Sequence, residues 1–246
     1  MRNIRLTIAY DGTAYHGWQL QPVQPTVQGA IEARLLQLTQ RPCRLRGAGR
    51  TDAGVHALGQ VANFKTDSAL PCAALLHGLN GLLPPDIVVR SAEDVDPDFD
   101  ARRDSAGKHY RYTIHNARAL QAPLSGHAWH LRGRLDATAM AVAAWSLVGQ
   151  HDFAAFRAAD CDRLDTHRTL HRASVSSVEG PGLLLDIEGT AFLKNMVRII
   201  AGTLVEIGRG RMSPAIIGEL LRDGDRRRAG PTAPAHGLAL VKVHLL

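Results

Sequence analysis

Apolar and polar residues alternate in several short stretches of the chain, and this alternation predicts β-strands. In residues 3–10, NIRLTIAY, an apolar side chain occupies every second position, which is the period of a half-buried strand. Residues 26–38 instead place apolar side chains three and four positions apart, the spacing of an amphipathic helix, and Thr26 precedes them as an N-cap. The chain therefore combines strands with helices.

The same patterns continue to the end of the chain. Further strands are predicted over residues 43–49, 58–65, 86–95, 108–116, 169–178, 183–189 and 238–245. Further helices are predicted over residues 73–79, 136–149 and 192–207, and after Ser213-Pro214. This order gives two successive β-α-β-β-α-β-like halves, residues 1–100 and 101–246. It predicts an α+β fold with a mixed, mostly antiparallel central sheet and helices on its faces.

Composition narrows the class of protein. The 246 residues are 45% hydrophobic, which is ordinary for a globular chain, and no apolar run approaches the ~20 residues that span a bilayer. The three cysteines, Cys43, Cys72 and Cys161, lack CxxC spacing, which argues against a disulfide framework and a zinc site. We therefore expect a cytoplasmic protein with no membrane partner.

Positive charge predicts a polyanionic partner. The net charge is +6, and basic residues cluster within residues 41–50, 102–111 and 226–228. One such cluster alone is typical of a solvated surface, and this interpretation is favoured for residues 226–228. Several clusters beside a candidate active site favour a nucleic-acid substrate over an acidic metabolite.

Residues 49–60, GRTDAGVHALGQ, are unusual because they place charged side chains among glycines between two predicted strands. A structural turn needs the glycines and at most the carboxylate of Asp52. Two interpretations of Asp52 are open. It forms an Asx-turn with its own backbone, or it is a nucleophile that the guanidinium of Arg50 keeps ionised. The spacing alone favours the turn.

Three further residues combine a polar group with apolar neighbours. Tyr110 and Tyr112 alternate on one predicted strand and therefore point to the same face, where a pair of core aromatic residues is the simpler interpretation. Arg198 lies in a largely apolar helix, FLKNMVRIIAG. It either pairs with a carboxylate or extends to the surface, because a buried and unpaired guanidinium is costly.

Sequence motifs for cofactors and metals are not found. No Gly-x-Gly-x-x-Gly follows a strand, and neither a P-loop nor a Gly-x-Ser-x-Gly motif occurs. His167 and His171 have the four-residue spacing that binds metal on a helix, but their stretch leads into a predicted strand. We therefore expect no cofactor and no metal.

Several segments spread over nearly the whole chain form one ordered pattern. The segments are YDGTAYHGWQLQP (10–22), TVQGAIE (26–32), GRTDAGVHALGQVANF (49–64), FDARRDSAGKHYRY (99–112), HDFAAFR (151–157), FLKNMVRIIAG (192–202) and APAHGLALVKV (233–243). Single residues of the same pattern are Cys161, Thr166 and Arg168. Each segment alone is weak, but their order and spacing are specific, and together they resemble the tRNA pseudouridine synthase A family.

The resemblance implies an isomerase that converts uridines at positions 38–40 of the tRNA anticodon arm to pseudouridine. It assigns catalysis to Asp52, contacts with the target nucleotide to Tyr110 and Arg50, and pairing with the aspartate to Arg198. It also implies the pseudouridine synthase fold, a catalytic cleft between the two halves, no cofactor, and a homodimer whose subunits both contact the tRNA. Whether Asp52 attacks C1′ or removes the 2′ proton in a glycal route stays open.

Three other functions compete with this one. A pseudouridine synthase with another RNA target would not be expected to contain YDGTAYHGWQ and MVRIIAG. A non-catalytic RNA-binding module has no need for Asp52, Tyr110 and Arg198 together. A phosphate-handling metabolic enzyme would be expected to have a Gly-rich loop that opens a helix. The catalytic interpretation is favoured.

Overall fold

The chain divides into two compact units. The computed structural model describes residues 1–119, 121, 124–178 and 180–246. The first unit joins residues 1–106 to residues 239–246, and the second comprises residues 107–238. Each unit contains its own strands and helices, so the predicted α+β class is confirmed.

The first unit is a mixed sheet with two helices. The sheet has the order β4–β1–β3–β10, where β1 pairs antiparallel with β3 and β4, and β10 pairs in parallel with β3; a short β2 also pairs with β3. The bounds are β1 (Arg2–Tyr10), α1 (Val27–Thr39), β2 (Arg46–Gly47), β3 (His56–Thr66), α2 (Cys72–Leu82), β4 (Ile87–Val95) and β10 (Leu238–Leu245), with β10 belonging to this unit from Ala239 onward.

Alternation along β1 creates the core of the first unit. Ile4, Leu6 and Ile8 are fully buried, whereas the intervening side chains are partly exposed. The apolar side of α1 is equally buried, and the Thr26 hydroxyl accepts a hydrogen bond from the Gly29 N–H at 3.2 Å, which caps the helix as predicted. This packing fixes the strands from which the loops of the unit extend.

The second unit is an antiparallel sheet with helices. Its strands have the order β5–β9–β8–β7, and β6 pairs in parallel with β5. The bounds are β5 (Ser105–Asn116), β6 (Trp129–Leu131), α3 (Ala137–Trp145), β7 (Gly149–Asp152), β8 (His167–Val178), β9 (Gly182–Gly189), α4 (Met196–Gly208) and α5 (Ile216–Asp223), with β5 belonging to this unit from Gly107 onward. Apart from Arg198 and Glu206, every residue of α4 is buried.

Four predicted boundaries are wrong. The strand predicted over residues 43–49 is reduced to β2, and the helix predicted to end at Gly149 ends at Trp145, because Gly149 has a φ of 118° and begins β7. The helix predicted from residue 192 begins only at Met196, because Asn195 is left-handed with a φ of 60°. Ser213 precedes a turn rather than a helix, and α5 begins at Ile216.

The composition led to expectations about disulfide bonds and about membrane-spanning segments, which the described residues address as follows. Cys43, Cys72 and Cys161 all have free thiols. Across the part of the chain that the structure describes, the helices are too short or too polar to cross a membrane.

Candidate active site

The loop of residues 48–55 connects β2 to β3 and carries Arg50 and Asp52. The backbone N–H of Val55 donates to the backbone carbonyl of Asp52 at 3.1 Å, and Gly54 has a φ of 76°, so a tight turn forms here. Arg50 is exposed and Asp52 is half-buried. A hydrogen bond between backbone groups therefore closes the turn that carries Asp52.

Buried polar side chains of β1 and β3 form hydrogen bonds with this loop. The hydroxyls of Tyr10 and Thr51 are 2.7 Å apart, and the amide Nε2 of Gln60 donates to the carbonyl oxygen of Gly49 at 2.9 Å. Tyr10 and Gln60 extend from β1 and β3 and are 4% and 0% exposed. Burial raises the pKa of Tyr10 to about 12, so its hydroxyl stays protonated near neutral pH. The two residues flanking Arg50 are therefore fixed to the sheet.

A second loop, between β1 and α1, packs against the first. The N–H of Trp18 donates to the carbonyl oxygen of Thr51 at 3.1 Å, and the N–H of Gly54 donates to that of Tyr15 at 3.3 Å. Gly17 has a φ of 89°, and a Cβ at this position would lie 2.5 Å from the carbonyl oxygen of Thr51. Only glycine allows this close approach of the two backbones. The two loops are therefore packed and hydrogen-bonded together on either side of Asp52.

Arg50 is held by the same second loop. Its Nε donates to the Oε1 of Gln19 at 3.2 Å, and the Nε2 of Gln19 in turn donates to the Oε1 of Gln28 at 3.1 Å. Gln28 lies in the first turn of α1 and is 2% exposed. An exposed arginine is thereby connected to a buried amide.

Tyr110 and Tyr112 lie on β5 and face the same side, as predicted. Tyr110 is 7% exposed and packs edge-on against Phe192, with ring centroids 5.0 Å apart. Tyr112 is fully buried, and its hydroxyl donates to the carbonyl oxygen of Pro234 at 2.8 Å. Burial raises the pKa of Tyr112 strongly. Its ring also packs so closely on Gly237 that a Cβ there would lie 2.6 Å away, which identifies Tyr112 as a core residue.

Arg198 extends from the first turn of α4 and is oriented by two neutral acceptors. Its Nε donates to the carbonyl oxygen of Ala233 at 2.8 Å, and its Nη1 donates to the Oδ1 of Asn195 at 2.9 Å. Asn195 has a φ of 60°, a backbone conformation that asparagine tolerates better than most residues. The left-handed residue thus ends the preceding loop and also positions the guanidinium.

Many of the clustered arginines form ion pairs. The run of residues 226–228 forms a short 3₁₀ helix. Pairs between exposed side chains contribute little to stability, so a polyanion competes for these arginines at little cost. The pairs are Arg44 with Glu32, Arg46 with Asp100, Arg103 with Asp104, Arg111 with Asp186, Arg227 with Asp225, and Arg228 with Glu219 and Asp223. Asp186 differs from the other carboxylates because it is buried.

The structure separates the residues that the sequence singled out into two groups. Arg50 and Asp52 share one loop of the first unit, whereas Tyr110 and Arg198 belong to the second. His167 and His171 both lie on β8, so their spacing is not that of a helix. Sequence reasoning did not single out the residues that hold the loops and Arg198, namely Tyr10, Gln19, Gln28, Gln60 and Asn195. For Tyr10, Gln28 and Gln60 the one signal was a polar group in a buried strand or helix, whereas Gln19 and Asn195 lie in loops and lacked that signal.

Comparison with known proteins identifies the family. The family described as tRNA pseudouridine synthase matches residues 6–104 and 143–244. Proteins named tRNA pseudouridine synthase A from Geotalea daltonii and Geotalea uraniireducens are each 52% identical to this chain, and that from Geobacter sulfurreducens is 48% identical. Each match covers 99% of this chain and 99% of the relative. The chain therefore belongs to the tRNA pseudouridine synthase family.

Proposed function

We propose that this protein isomerises uridines in the anticodon stem-loop of tRNA to pseudouridine, with Asp52 as its catalytic residue. The observation that carries the proposal is the position of Asp52. It lies half-buried in a Gly-flanked turn that two buried side chains and a second loop hold in place. A carboxylate that acts on a sugar carbon needs such a fixed position. The relatives named above match this chain over their whole length.

The proposed reaction rearranges one nucleotide. The bond between C1′ and N1 of uridine breaks, the uracil turns, and a bond forms between C1′ and C5. C5 then loses its proton and N1 gains one, so atoms and oxidation state balance and no cofactor is needed. Asp52 attacks C1′ as the nucleophile of a retaining glycosidase does, or removes the 2′ proton to give a glycal. Both routes require Asp52 to be ionised.

The other three residues support this step in the proposal. Tyr110 stacks on the uracil or assists the loss of the C5 proton. Arg198 keeps Asp52 ionised and oriented through its positive charge. Arg50 holds the target nucleotide after its extrusion from the stem, which costs a few kcal/mol and is offset by contacts with the RNA backbone.

In this proposal, the positive charge of the protein and its assembly into a homodimer both contribute to tRNA binding. The net charge of +6 favours a polyanion, and the affinity is expected to fall steeply as salt rises. We further propose that the protein acts in the cytoplasm as a homodimer on uridines 38–40. Recognition of RNA by shape rather than by base sequence is compatible with several neighbouring targets.

Tritium release tests the proposal. Unmodified tRNA transcripts with tritium at C5 of uracil are incubated with the native protein, with Asp52→Asn, and with Asp98→Asn, an exposed aspartate of the same unit. All three must first bind the tRNA equally. We expect release by the native protein and by Asp98→Asn, and no release by Asp52→Asn.

The other outcomes contradict parts of the proposal. Binding without release by the native protein would favour a non-catalytic RNA-binding module. Equal release by all three proteins would keep the enzyme but exclude Asp52 as its catalyst. Transcripts in which uridines 38, 39 and 40 are replaced one at a time by cytidine identify the targets.

A further inference from the structure

Gln28 is a buried amide whose hydrogen-bonding capacity is completely used. Its Oε1 accepts from the Nε2 of Gln19 and from the N–H of Leu20, both at 3.1 Å. Its Nε2 donates to the Oε1 of Glu32 at 2.7 Å and to the carbonyl oxygen of Leu45 at 3.1 Å. A side-chain amide donates two hydrogens and accepts at two lone pairs, so all four positions are occupied and the orientation of the amide is fixed.

This fixed amide determines which atom of Gln19 faces Arg50. Because Gln28 presents its oxygen, Gln19 must turn its Nε2 toward it, and the Oε1 of Gln19 then accepts from the Nε of Arg50 at 3.2 Å. The opposite orientation of the Gln19 amide would place its oxygen against the oxygen of Gln28 and its NH₂ group against the Nε–H of Arg50. The acceptor for the arginine is therefore set by a residue in the first turn of α1.

We propose that Gln19 and Gln28 are positioning residues for Arg50 in the reaction of this protein, an inference that rests on the proposed function. An exposed arginine has many rotamers, and the bond at Nε fixes the plane of its guanidinium before the tRNA arrives. Arg50 then binds the extruded nucleotide without first losing that freedom. In this role Gln19 acts on the rate through its hydrogen bond to Arg50, and Gln28 acts through Gln19.

Kinetics of tritium release test this role in the full-length protein. Gln19→Ala removes the acceptor from a partly exposed side chain, and we expect kcat/KM to fall about three- to tenfold, on the scale of one ordinary net hydrogen bond. Gln19→Glu keeps an acceptor oxygen for Arg50 but has no donor for the Oε1 of Gln28, so it is expected to restore the rate only in part. Gln21→Ala is the matched control, because Gln21 lies in the same loop and bonds the carbonyl of His16 instead.

A double-mutant cycle separates positioning from a general loss of order. In the Arg50→Ala background, Gln19→Ala is expected to cause no further loss. Gln28→Ala is expected to behave the same way, compared at equal folded fractions measured by thermal unfolding. Losses that add in full would overturn the positioning role, as would native kinetics of Gln19→Ala.

The outcomes for the two proposals are distinguishable. No tritium release by the native protein would overturn the proposed function, and the positioning role with it. Release by the native protein with native kinetics of Arg50→Ala would overturn the assigned role of Arg50 and the role of both glutamines. Release with an additive cycle would overturn only the inference about the glutamines.

Discussion

Gly202 of α4 lies against the segment that holds Arg198, and its replacement by alanine is expected to disturb both stability and activity. A Cβ on Gly202 would lie 1.7 Å from the carbonyl oxygen of Pro231, whereas ordinary contact begins at 3.4 Å. Neither atom can rotate out of the contact, because the oxygen of Pro231 belongs to the backbone and a Cβ is bonded directly to the backbone of residue 202. The carbonyl must therefore retreat from the helix by about half its contact distance.

The retreat breaks an identified contact. The hydroxyl of Thr203 accepts a hydrogen bond from the N–H of Gly230 at 2.9 Å, directly beside the clash. Loss of this buried bond leaves both groups unsatisfied and costs about 1–3 kcal/mol. Overpacking adds about 1–3 kcal/mol, and the better helix propensity of alanine returns about 1 kcal/mol. The free energy of unfolding should fall by about 3 kcal/mol, which corresponds to about 6–12 °C in Tm for a chain of this size.

Thermal unfolding of Gly202→Ala beside Gly218→Ala measures the effect. Gly218 is also helical, but a Cβ there meets no atom within 4 Å, so the same substitution should be neutral or slightly stabilising. Tritium release should fall in Gly202→Ala alone, because Ala233, which holds Arg198, follows Pro231 by two residues. A Tm of Gly202→Ala within about 1 °C of the native value would refute the reasoning.

Three further substitutions follow from single contacts. Asn195→Gly suits the φ of 60° and should leave Tm unchanged while slowing tritium release, because Arg198 loses an acceptor; a native rate would contradict this role. Asp136→Ala removes the cap of α3 and should lower Tm by about 2–4 °C, the effect of about 1 kcal/mol. Burial opposes ionisation of Asp186, but hydrogen bonds from Arg111 and His109 hold its pKa below the usual range. Its contribution to stability is therefore present above the unfolded pKa of about 3.9 and is lost as pH falls through the lower folded pKa. Urea unfolding of Asp186→Asn should show a flatter loss of stability in acid than the native protein.

The sequence predicted correctly those features that are determined by residues close together in the chain. The predictions of the α1 cap at Thr26 and of the β1 strand are confirmed, because each involves residues only a few positions apart. The hydrogen bond that holds the loop of Asp52 to the sheet was not predicted, because it joins Tyr10 to Thr51 across 41 positions. Asn195 was missed for another reason. The apolar period continues through it, and only the backbone shows that the helix has not yet begun.

Arg198 shows how the structure changes a question that the sequence left open. The sequence offered two partners for its guanidinium, a carboxylate or water, because burial of an unpaired charge is costly. The structure adds a third kind of partner, the neutral oxygens of Asn195 and Ala233, the second of which lies 35 positions away along the chain. The two hydrogen bonds are made by different nitrogens of the guanidinium, Nε and Nη1, and together they fix its plane. Residues of the second unit therefore contribute to the direction of Arg198.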